Sequence, residues 1–89
     1  MVTEYTLNDD TVIKVYQEVG QFTIITKGKK PRPNTQKESL GIVRTPPENI
    51  NCLDVASVPM VGHYLIIFDS GTPITIGQIK KIEKKKTEQ

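Results

Sequence analysis

Thr11-Val12-Ile13-Lys14-Val15-Tyr16-Gln17-Glu18-Val19 is the stretch whose reading settles the fold class. Its apolar residues admit two spacings. Val12, Val15, Tyr16 and Val19 fit a helix, with Asp10 placed to cap the first turn and Gly20 just past the last. Ile13, Val15 and Val19 fit a period of two equally well. Composition separates the readings. Thr11, Val12, Ile13, Val15 and Val19 are β-branched. Two heavy atoms on Cβ lose rotamer freedom against a helical turn but pack well on a pleated surface. The stretch is therefore read as a strand, with Tyr16 on the face opposite Ile13 and Val15.

The flanking sequence then falls into short strands. Gly20 breaks the run, and Gln21 to Thr26 resumes it with Phe22 and Ile24 on one face. The two form a hairpin turning near Gly20. A two-residue turn wants positive φ, which Gly accepts and Val19 resists, so a longer loop is expected. Upstream, Tyr5 and Leu7 alternate with Glu4 and Thr6, and Asn8-Asp9-Asp10 marks a turn. Downstream, Lys27 to Ser39 is a polar loop in which Pro31 and Pro33 flank Arg32. These prolines are expected to stiffen the loop and to exclude a ladder there. Leu40 to Arg44 is a short strand stopped by Pro46 and Pro47. Glu48 to Val58 has room for one helical turn, capped by Thr45, with Ile50 and Leu53 facing inward.

His63 to Phe68 is apolar on both faces, which predicts a central strand covered on both sides. Asp69-Ser70-Gly71-Thr72 is a turn. Pro73 to Ile79 is the last strand, with Ile74 and Ile76 inward and Gly77 marking a bulge that re-phases Ile79. The predicted architecture is mainly β: a small, partly open barrel or rolled antiparallel sheet of the SH3-like or OB-like size class. Residues 1–80 form the single domain, and 81–89 form a flexible basic tail. The strand Thr3 to Leu7 lacks proline and lysine, the usual edge blockers, so it is predicted as an exposed edge covered by a second copy in a homodimer.

Composition bounds the function. The chain has 89 residues, room for one modest core. Cys52 is its only cysteine, so no disulfide forms within the chain. No apolar run approaches the roughly 20 residues of a membrane helix, and Met1 to Tyr5 has no apolar signal core. A cytoplasmic protein with no membrane contact is expected. The net charge of +2 conceals segregation. Residues 27–47 hold six Lys or Arg against Glu38 alone, a net +5, whereas residues 48–77 hold three carboxylates and no Lys or Arg.

Few residues carry chemistry. Leu65-Ile66-Ile67-Phe68-Asp69-Ser70-Gly71-Thr72 resembles the catalytic loop of aspartic proteases, an apolar strand running into Asp-Ser-Gly-Thr. In that family a flap hairpin and a second apolar strand follow the loop. Only Gly71 to Gln89 follows here, much of it lysine, so the segment is read as a hairpin turn. Cys52 and His63 are too few for structural zinc, and no phosphate-cradling glycine motif occurs. No catalytic set, metal site or cofactor is expected.

The remaining signal is the basic loop 27–44. Lys27, Lys29, Lys30, Arg32, Lys37 and Arg44 are expected to cluster at one end of the barrel, with Tyr16 as an exposed aromatic anchor. The predicted function is a non-catalytic module binding a macromolecular partner, a protein of accessory or inhibitor type first. Nucleic acid held by the basic loop is the alternative. Sequestration of a small anionic ligand between subunits of an oligomer is a third reading.

Overall fold

The computed structural model describes residues 1–48 and 54–86. Seven strands follow in chain order: β1 (Val2–Leu7), β2 (Val12–Tyr16), β3 (Gln21–Ile25), β4 (Arg32–Pro33), β5 (Glu38–Val43), β6 (Tyr64–Asp69) and β7 (Thr72–Lys85). They form one antiparallel sheet in the order β4-β3-β2-β1-β7-β6-β5, which curls through 214° as a half-barrel. The described residues contain no helix, and Val55 instead bridges Val43 in extended form. Cys52, Ile50 and Leu53 lie outside the described residues.

The β-branched run from Thr11 supplies strand β2, paired with β3 through Ile13↔Ile24 and Val15↔Phe22. A loop of four residues, Gln17 to Gly20, joins them, with Gly20 at φ 67°. The longer loop follows from Val19, which leaves the left-handed region to glycine alone.

Strand β7 shapes the molecule. Its first half pairs with β6 and its second half with β1, so it links both halves of the sheet. Ile76 is an extra residue between the pairs Ile66↔Thr75 and Leu65↔Gly77. Lys80 is an extra residue between Leu7↔Ile79 and Thr6↔Lys81. Each bulge bends the strand and raises the local twist, which curls a sheet of this width instead of leaving it open. The expected bulge at Gly77 is present. A Cβ at Gly77 would stand 3.3 Å from the Leu7 side chain, so glycine lets β7 pass close over the core.

The inner face carries the core. Tyr5, Leu7, Ile13, Phe22, Leu65, Ile67 and Ile79 are buried together, with Val15, Leu40, Ile42 and Ile82 packed against them. Ile66 points to the other face, where it and Val43 are also fully buried. There the Phe68 ring lies over Gly41, within 2.6 Å of where a Cβ would stand.

Five expectations are corrected. The strand Thr3 to Leu7 is not an edge: β1 is flanked by β2 and β7 and pairs with both. The segment His63 to Phe68 is buried at Leu65 to Ile67, but it lies next to the edge strand β5 instead of at the centre. Pro33 does not exclude a ladder, because β4 is an edge and pairs Thr23↔Pro33 and Ile24↔Arg32 on one side only. Ile74 shares the inner face with its partner Ile67 but is 48% exposed there, two pairs in from the Asp69–Thr72 hairpin end. The tail expected over 81–89 is strand as far as Lys85, held by β1 through Tyr5↔Ile82 and Thr3↔Lys84. Leu7, Ile79 and Ile82 give that segment an apolar anchor which its lysine content concealed.

Candidate functional site

The half-barrel leaves a seam between its two edges, and a short clasp spans one end of it. The chain crosses directly from β4 to β5 through Asn34 to Lys37. Asn34 acts as a substitute strand residue: its N–H donates to the Phe22 carbonyl, and its Oδ1 accepts from the Phe22 N–H, both at 2.9 Å. Arg32 on β4 then reaches Glu38 on β5 as a two-pronged pair, Nη1 to Oε1 at 3.0 Å and Nη2 to Oε2 at 3.2 Å. Thr35 N–H also donates to Glu38 Oε1 at 3.0 Å.

These contacts hold the Glu38 carboxyl below its usual range, first through the Arg32 hydrogen bonds and then through the Thr35 N–H. Its side chain is only 10% exposed. A carboxyl with a depressed folded pKa binds fewer protons than in the unfolded chain, so its contribution to stability is present above the ordinary glutamate range. It is lost as pH falls through the depressed value. Glu38→Gln is therefore expected to lower the melting temperature at neutral pH and to lose that deficit in acid. Melting curves of both proteins between pH 7 and about pH 3 check this. A deficit that stays constant across the range removes the ionised clasp.

Beside the clasp the seam opens into a groove of about 520 Å³. Tyr5, Val15 and Phe22 line it from one side and Leu40 and Ile42 from the other. Residues between Val55 and Pro59 close its far end. The volume lies within the range of known ligand sites, and the lining is mainly apolar.

The β5 edge along this groove carries exposed backbone chemistry. The odd-numbered residues of β5 face the ladder with β6, as the Lys37 carbonyl accepting from Ser70 N–H shows at its head. The even-numbered residues face the seam. Glu38 N–H donates back to the Thr35 carbonyl, the Ile42 carbonyl accepts from Ala56 N–H, and Arg44 N–H donates to the Asp54 carbonyl. Between these ends, the N–H and C=O of Leu40 and the N–H of Ile42 have no protein partner among the described residues. They form an unpaired stretch of sheet edge above an apolar floor.

The predicted basic site is only partly assembled. Lys27, Lys29 and Lys30 lie in the exposed turn between β3 and β4, and Lys37 heads β5. None of these four makes an ion pair among the described residues. Arg32 is committed to Glu38, and Arg44 is paired with Asp54, which raises the guanidinium pKa further. Tyr16 is half-buried on the outer face beside Val2, at the end of the β2–β3 hairpin away from Lys27. The register Val12↔Ile25 to Tyr16↔Gln21 separates it from the basic turn by about 13 Å or more.

No protein-family model, curated protein or solved structure matches this chain. The site therefore rests on its own geometry.

The protease-like segment is a tight hairpin. Asp69 pairs with Thr72, and Ser70 and Gly71 turn at φ 53° and 85°. Positive φ at both central residues is the type I′ geometry that matches strand twist. Asp69→Asn is expected to leave the fold and binding of the protein unchanged, checked by its melting curve and by incubation with a peptide library. Pepstatin-sensitive cleavage abolished by the substitution contradicts this. His63 Nδ1 accepts from Met60 N–H at 3.2 Å, a local strand-end contact.

Leu40 and Ile42 are functional candidates that the sequence reading left unmarked. Their alternation with Ser39 and Gly41 predicts one apolar face, but only the strand order reveals that β5 is an edge.

Proposed function

We propose that the protein is a non-catalytic interaction module that binds an extended segment of a partner protein by adding it as a strand to β5. The observation that supports this most is that the N–H and C=O of Leu40 and the N–H of Ile42, beside the groove, have no partner among the described residues. An extended peptide satisfies such groups with its own backbone, and its alternate side chains drop into the groove below. The span from Glu38 to Ile42 is about 13 Å, which accommodates roughly four extended residues. Nucleic acid is the weaker reading, since two of the six basic groups are ion-paired and the aromatic platform stands apart from the rest.

Fluorescence anisotropy with labelled peptides alternating Val and Thr tests this. Saturable binding is expected, together with a loss of tenfold or more when peptide amides at alternate positions are N-methylated. Methylation removes donors without changing side chains, so indifference to it at every position defeats strand addition. A second copy is the competing occupant. A dimer in sedimentation equilibrium at micromolar concentration that Leu40→Pro dissociates, together with no peptide binding to the unaltered protein, assigns the edge to self-association instead.

A further inference from the structure

We infer that the partner segment carries acidic residues immediately after its apolar strand, and that the lysines at the clasp end of the seam read them. This rests on the strand-addition reading above and specifies its ligand. Three observations carry it. First, the two ends of the groove differ in charge. At the clasp end Lys37 heads β5, Lys27, Lys29 and Lys30 crown the neighbouring turn, and none has a carboxylate partner among the described residues. Second, the one carboxylate lining the groove, Glu38, is already neutralised by Arg32, so it does not repel an incoming anion as a free carboxylate does. Third, direction is constrained. Residues 54–56 already lie antiparallel against the far end of β5. Antiparallel pairs also outnumber parallel ones roughly two- to three-fold. A strand antiparallel to β5 runs from the Ile42 end toward Glu38, which places its C-terminal flank beside the lysines.

The charges act from outside the strand. Backbone pairing and the apolar floor hold the segment, while exposed lysines steer it and select its flank, an electrostatic role that salt weakens. An acidic run at the N-terminal flank meets no such cluster, because the cation at that end, Arg44, is paired with Asp54.

The experiment uses the full chain and four labelled peptides sharing a Val-Thr-Val-Thr core. One carries four aspartates after the core, one carries them before it, one carries serines at both ends, and one carries lysines after it. The peptide with trailing aspartates is expected to bind about tenfold tighter than the serine peptide at low salt. That advantage is expected to collapse at about 0.5 M salt, where the screening length is only a few ångströms. It should also collapse in the exposed quadruple variant Lys27→Ser, Lys29→Ser, Lys30→Ser, Lys37→Ser, whose fold is checked by its melting curve. Equal affinity of the acidic and serine peptides, or preference for leading aspartates, overturns the charge assignment while leaving strand addition intact. Failure of all four peptides to bind overturns both. Single-stranded oligonucleotide binding tighter than the acidic peptide, and lost in the same variant, also overturns the inference by assigning the lysines to phosphate.

Discussion

Ile66→Ala is expected to destabilise the protein by about 2–5 kcal/mol, the usual consequence of truncating a fully buried aliphatic side chain. Ile66 has no exposed surface and is held between Gly41 on β5 and Thr75 on β7. It packs on the face away from the main cluster, so its neighbours on the inner face cannot refill the space. For a domain of this size the loss corresponds to a fall of about 10 °C or more in melting temperature. Ile74→Ala makes the control. Ile74 is 48% exposed on β7, and its truncation is expected to change stability by about 0.5 kcal/mol or less. Thermal melts of the two variants compare the same chemical change at two positions on neighbouring strands. Equal melting temperatures contradict the face assignment of β6.

Leu40→Pro is expected to abolish peptide binding while leaving the half-barrel folded. Proline lacks the N–H that faces the seam, and its ring obstructs a strand laid along the edge. Its tolerance follows from the same geometry: the Leu40 N–H makes no ladder bond to β6, and proline is accepted at edge positions of that kind. Leu40→Ala separates the lost side chain from the lost donor. We expect Leu40→Pro to bind at least tenfold more weakly than Leu40→Ala, with melting temperatures within a few degrees of each other. Equal affinities for the two variants place the ligand elsewhere. The N-methylated peptides carry the same test from the ligand side, should the proline variant fold poorly.

Local chemistry made much of this fold legible. β-branched residues at 11, 12, 13 and 15 identified β2 against a competing helical pattern, and Asp-Ser-Gly marked the hairpin before β7. Gly77 announced a bulge because a lone glycine within an apolar alternation signals a close approach of backbone, here to Leu7. What stayed hidden depended on strand order. The segment Thr3 to Leu7 looked like an edge by composition, yet β7 runs on past its second bulge at Lys80 to cover it. Lysine at 81 and 85 suggested a solvated tail, but a strand with one exposed face tolerates lysine there as long as Ile79 and Ile82 reach the core. The candidate site was concealed for the same reason. Arg32 and Glu38 are six residues apart and each is unremarkable alone, but they close the seam because the chain steps from one edge of the half-barrel to the other between them.

No helix among the described residues is long and apolar enough to cross a membrane. The exposed Val55 side chain lines the far end of the groove. A segment leaving the groove at that end passes beside it, and Val55→Ser is expected to weaken peptide binding modestly without altering its salt dependence.

Amide hydrogen exchange at Leu40 and Ile42 tests the proposed strand addition most directly. In the free protein both amides are expected to exchange far faster than those of Leu65 and Ile67, which lie on β6 between two strands. Saturation with the Val-Thr peptide bearing trailing aspartates is expected to slow both of them, and to leave Tyr16 unchanged. Leu40 and Ile42 amides already slow in the free protein, or still fast in the peptide-bound one, contradict the account.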